Sequence, residues 1–135
     1  MKHFRVLALL LSIALIVVAV LLPNTVLRQL RLDHHWFNLL MGWTEMVQRV
    51  NVVHLVIFGL LGATARLALP GVSLGRLLPV VALFAAASEV VQFWVPGRTP
   101  RLVDMAQDIL GALIGVLLVV TIQFLLKCLA AKLLK

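Results

Sequence analysis

Four apolar stretches, each about as long as a bilayer's hydrocarbon core is thick, dictate what this chain can fold into. Inside lipid, every backbone N–H and C=O must find its partner within the protein, so such stretches become helices. At 1.5 Å per residue, about 20 residues cross a ~30 Å core. The runs fall at residues 6–22, 50–69, 77–95 and 104–126. Composition agrees, because 63% hydrophobic and 13% charged is too apolar for an ordinary soluble domain. The expectation is one all-α domain over residues 1–135, an integral membrane four-helix bundle.

The run boundaries carry their own signals. The first follows a basic start with Lys2 and Arg5 and ends at Leu21-Leu22-Pro23-Asn24. It has no small-x-small cleavage site, so it reads as an uncleaved first helix and not as a signal peptide. The second stops at Pro70-Gly71. The third carries Pro79 in its expected first turn, where a missing N–H is tolerated. After the fourth, Lys127, Lys132 and Lys135 form an amphipathic tail.

The long connection over residues 24–49 has a different pattern. Trp36, Leu39, Leu40, Trp43, Met46, Val47 and Val50 recur at three- and four-residue spacing. With Asp33 as N-cap, this predicts an amphipathic helix over 33–49 between the first and second spans. It either lies in the membrane interface or packs on top of the bundle. His34 and His35 are adjacent, point about 100° apart on a helix, and make a poor metal pair.

Charge assigns the orientation. With the N-terminus cytoplasmic, the inner side holds Lys2, Arg5, Arg66, Arg76, Lys127, Lys132 and Lys135, and the outer side Arg28, Arg31, Arg49, Arg98 and Arg101. That inner excess places both termini in the cytoplasm. The net charge of +7 sits beside apolar runs and forms no stripe with interleaved aromatics. Anionic lipid therefore explains it better than nucleic acid, which is excluded as a partner. The one cysteine, Cys128, excludes an internal disulfide and a zinc–thiolate cluster.

The ionisable residues within the apolar runs mark the active region. Acids in membrane helices are costly and are kept for a purpose. Glu89, Asp108 and His54 all fall about four to six residues from the outer helix ends, roughly 6–9 Å below one face. In the fourth run, Asp104, Asp108, Gly111 and Gly115 share a stripe, and in the third, Ala82, Ala85, Glu89 and Gln92 do. Small residues below let backbones approach while polar ones above converge. The result is an outward-facing polar pocket of His54, Glu89, Gln92, Asp104, Asp108 and Arg98. Arg98 is the expected partner of the aspartates and Arg101 the reserve. The bland alternative is a polar network that fixes helix register. Gly111 and Gly115 serve internal packing ahead of a homodimer contact.

These elements resemble the VanZ-like family. The resemblance rests on His54 near a helix start, Glu89-Val-Val-Gln92, Pro96-Gly97-Arg98 and Asp104-x-x-x-Asp108-x-x-Gly111-x-x-x-Gly115. It covers about residues 50–118. Val50 and Asn51 stand where the family usually has an Asp-Lys pair, and Asp108 where asparagine is common. The resemblance implies a multi-pass protein of the bacterial cytoplasmic membrane. Its namesake is associated with low-level teicoplanin resistance, which places action at the outer face of the cell envelope.

Two classes of function follow. In the first, the pocket binds the headgroup of a lipid or lipid-linked cell-wall precursor. Arg98 and Arg101 would meet phosphate, and Gln92, Asp104 and the other acids would meet hydroxyls or amines. In the second, an intramembrane hydrolase or transferase acts on such a lipid. Glu89 or Asp108 would be its acid or base, His54 a nucleophile or second base, and Arg98 would stabilise developing charge. A divalent cation on Glu89, Asp104 and Asp108 is a variant, with magnesium or calcium suited to oxygen ligands. Proton-coupled transport would use the same residues. Between binding and catalysis the sequence leaves enzyme status open, having no Gly-x-Ser-x-Gly elbow and no His-Glu-x-x-His motif.

Overall fold

The computed structural model describes residues 2–36, 39 and 52–133, and every regular element among them is helical. In chain order these are α1 (Lys2–Leu21), α2 (Asn24–Asp33), α3 (Val52–Ala68), α4 (Leu74–Gln92) and α5 (Leu102–Leu133). Three of them, α1, α4 and α5, are long and apolar enough to cross a membrane, and α3 is a shorter apolar helix of 17 residues. Less than a third of each of the three long spans is buried. Leu10, Leu83, Leu118 and Phe124 face outward, as side chains against lipid do.

Helices α1, α3, α4 and α5 pack around a core of Ile16, Val20, Phe58, Leu61, Val81, Ala85 and Val116. The closest pair is α3 with α5. Its cause is in the sequence, where Gly59 and Gly62 meet Gly111, Ala112 and Gly115. A Cβ on Gly115 would fall on the carbonyl oxygen of Gly59, and one on Gly111 on that of Leu55. Only glycine permits backbones this close. Leu55 meets Gly111 and Gly59 meets Gly115, so the two helices run parallel in one register. The glycine stripe is thus used inside the chain, and a homodimer through it would have to displace α3.

Several boundaries differ from expectation. Residues 24–33, read as connection, form α2, and His34 caps its C-terminal end, so Asp33 closes a helix instead of opening one. Most of the expected 33–49 interfacial helix, and residues 50–51 of the second span, lie outside the described residues. Helix α4 begins at Leu74 with Ser73 at the N-cap, which moves Pro79 into the second turn and deprives the Gly75 carbonyl of a helical donor. Helix α5 continues unbroken to Leu133, about 48 Å at 1.5 Å per residue, and takes in Lys127 and Lys132 of the expected tail, while Lys135 lies outside the described residues.

The turns are closed by side chains. Pro23 has no N–H for the Ala19 carbonyl four residues back. Arg98 supplies it instead, with Nη2 donating to Ala19 O at 3.0 Å and Nε to Leu22 O at 3.2 Å. The Asn24 amide donates to the Gly97 carbonyl, and Gly97 adopts φ 76°. At the opposite end, Arg66 Nη1 donates to Pro70 O at 3.1 Å.

Candidate functional site

Polar side chains gather where α1 and α4 end and α3 and α5 begin. His54 stands in the first turn of α3 and Asp108 in the second turn of α5. The parallel glycine-mediated register brings them to the same level. His54 Nδ1 lies 2.9 Å from Asp108 Oδ1, with Asp108 fully buried. Glu89 enters from the last turn of α4. Its Oε2 accepts a hydrogen bond from the Arg101 backbone N–H at 3.1 Å, just before α5 begins. A carboxylate there also meets the positive end of the α5 dipole.

One ligand atom from each of His54, Glu89 and Asp108 lies within 4.8 Å of the other two. All three residues are buried. Burial leaves Glu89 Oε1, Asp108 Oδ2 and Gln92 Nε2 without a hydrogen-bond partner. Gln92 is one turn beyond Glu89 on α4 and also buried. Buried polar atoms are normally satisfied, and each exception costs about 1–3 kcal/mol.

The structure therefore brings His54, Glu89 and Asp108 together and sets other expected members apart. Asp104 is half-buried, one turn nearer the α5 N-terminus. Arg98 is not hydrogen-bonded to either aspartate; its donors go to the end of α1, and Asp108 takes His54 as partner. Burial lowers the Arg98 pKa from its ordinary value, while the charges of Glu89 and Asp104 raise it. Arg101 contributes its backbone, and its residue is exposed. Sequence reading missed the carbonyls of Ala19 and Leu22 and the Arg101 N–H. The Pro23 that orphans Ala19 O was the one available signal.

Alongside this cluster, an apolar cleft of about 210 Å³ opens between α1 and α4. Val17, Val20 and Leu21 line one side and Phe84, Ala87 and Val91 the other. Ser88 also lines it, next in sequence to Glu89, and its hydroxyl donates to the Ala85 carbonyl at 2.7 Å.

Three helices long and apolar enough to cross a membrane, packed with a buried ionisable cluster, mark a membrane protein. The VanZ/LLP1 family model matches residues 5–125, and the chain belongs to that family. No curated protein and no solved structure matches it.

Proposed function

We propose that this VanZ-family protein binds a lipid or a lipid-linked cell-wall precursor. The polar headgroup meets the His54–Glu89–Asp108 cluster, and an acyl chain enters the cleft between α1 and α4. The observation that carries this reading is the set of buried atoms without partners: Glu89 Oε1, Asp108 Oδ2 and Gln92 Nε2. Two acceptors and a donor suit a ligand rich in hydroxyl, amine or amide groups. The neighbouring cleft is almost wholly apolar, which suits a hydrocarbon chain. On the charge-based topology this end of the protein faces the outside of the cytoplasmic membrane. There the protein would meet envelope precursors and affect glycopeptide susceptibility.

The test is native mass spectrometry of the full chain extracted in mild detergent. A discrete lipid mass should accompany the wild-type chain and be lost in Glu89→Gln and in Ala87→Trp, which fills the cleft. A wild-type chain that retains no lipid, or variants that retain it equally, would refute the reading.

The 2.9 Å contact between His54 and Asp108 favours a second reading, intramembrane acid–base catalysis on the same lipid. A carboxylate that orients an imidazole, with another carboxylate close by, is an arrangement used for proton transfer. Turnover of the retained lipid, abolished by Glu89→Gln, would select this reading over binding alone.

A further inference from the structure

We infer that His54, Glu89 and Asp108 form a binding site for one divalent transition-metal cation, with Zn2+ the best fit. The inference deepens the proposed ligand site and rests on the cluster being one.

Geometry comes first. A cation with bonds of about 2.0–2.2 Å holds its ligand atoms roughly 3–4 Å apart. The three candidate atoms lie within 4.8 Å of one another, and the His54–Asp108 pair is at 2.9 Å. Small side-chain movements bring all three onto a common centre, with the cation replacing the proton between Nδ1 and Oδ1.

The second observation is independent of that spacing. Asp108 is 0% exposed and Glu89 5% exposed, yet Asp108 Oδ2 and Glu89 Oε1 have no partner. A buried carboxylate oxygen needs a donor or a metal. Glu89 is already held by the Arg101 N–H through its other oxygen, as metal-bound carboxylates are commonly oriented by a neighbouring donor.

Charge and donor type select the ion. Two carboxylates and a neutral imidazole balance one dication, so the complex buries no net charge. Without it, the imidazole can offset only one of the two carboxylates. An imidazole nitrogen disfavours calcium and magnesium, which take oxygen, and favours zinc or a similar transition metal. Three protein ligands leave a fourth position open for water or a headgroup oxygen. The set differs from the all-oxygen variant of Glu89, Asp104 and Asp108 considered from sequence, because the helix register brings His54, and not Asp104, to Glu89 and Asp108.

The test uses the full untagged chain in detergent, stripped with chelator and then equilibrated with Zn2+, Mn2+ or Mg2+. Elemental analysis after gel filtration should give about one zinc per chain, and zinc should raise Tm. Co2+ in place of zinc should give the visible bands of a low-coordinate site. Glu89→Gln keeps the acceptor for the Arg101 N–H and so keeps the fold. It should weaken zinc binding at least about tenfold, as should Asp108→Asn. Changing the exposed His34, His35 and Cys128 should leave binding intact. The inference is overturned if the stripped wild-type chain takes up no stoichiometric zinc or manganese. It is equally overturned if Glu89→Gln binds as tightly as wild type, or if Mg2+ binds in preference to Zn2+. Lipid retention is read separately, so zinc without lipid refutes the headgroup reading alone, and lipid without zinc refutes this one alone.

Discussion

His54 Nδ1 and Asp108 Oδ1 are 2.9 Å apart, although 54 residues separate them in the chain and both are buried between parallel helices. Removing His54 strands the fully buried Asp108 carboxylate in a medium that cannot solvate it, at a cost of about 3–5 kcal/mol. Replacing both with apolar groups removes the stranded partner as well. In chelator-treated protein, His54→Phe and Asp108→Leu should each lower Tm sharply. The double variant should be more stable than either single one. Thermal unfolding in detergent measures the cycle, and additive losses would show that the two side chains are not coupled.

The pair is in register only because α3 and α5 touch through backbone. A methyl on Gly115 meets the Gly59 carbonyl oxygen, which belongs to a helix and cannot swing aside. Gly115→Ala should therefore cost about 1–3 kcal/mol or more and loosen the His54–Asp108 contact together with zinc affinity. Gly75 offers the control, with nothing within 4 Å of a Cβ there. Gly75→Ala should be neutral or stabilising by up to about 1 kcal/mol. Equal Tm losses at the two positions would contradict the packing described.

How legible was this in the sequence? The apolar runs and the glycine spacing beside Asp108 and the histidine and glutamate near helix ends carried the class, the family and three residues of the cluster. Partner choice was less legible. Asp108 and Arg98 are ten residues apart, which favours a local pairing, whereas the actual partner depends on the rotational setting of α3 against α5. That setting is fixed by backbone contacts at Gly59, Gly62, Gly111 and Gly115, which no single-helix pattern encodes. Helix α2 was hidden because it is only ten residues long, follows Pro23 and carries six polar residues, so it read as part of the connection. Backbone donors such as the Arg101 N–H leave no trace in residue identity.

Arg98 should behave as a strap and not as a partner of the acids. Its Nη2 gives the Ala19 carbonyl the donor that Pro23 lacks, and its Nε gives one to the Leu22 carbonyl just beyond the end of α1. Charged donors to carbonyls contribute about 1.5–3 kcal/mol when well buried, and less at this half-buried position. Arg98→Ala should lower Tm and raise protease cleavage between α1 and α2. Arg98→Lys should recover less than half, because a single ammonium does not reproduce the planar fork that spans Ala19 O and Leu22 O. Full recovery by lysine would mean that charge alone is what the site requires.

The hydroxyl pair deeper in the protein gives the opposite expectation. Ser12 Oγ lies 2.9 Å from Thr64 Oγ1 and ties α1 to α3. Each hydroxyl also lies within reach of a carbonyl in its own helix, Leu9 O at 2.8 Å and Leu60 O at 2.8 Å. A hydroxyl has one proton, so at any moment only some of these bonds are made. Interhelical hydrogen bonds of this kind average about 0.6 kcal/mol in membrane proteins. Ser12→Ala should therefore shift Tm far less than Gly115→Ala, and Thr64→Val should add little once Ser12 is gone. A loss at Ser12 as large as that at Gly115 would put the hydroxyl pair on a par with the glycine contact and overturn this ranking.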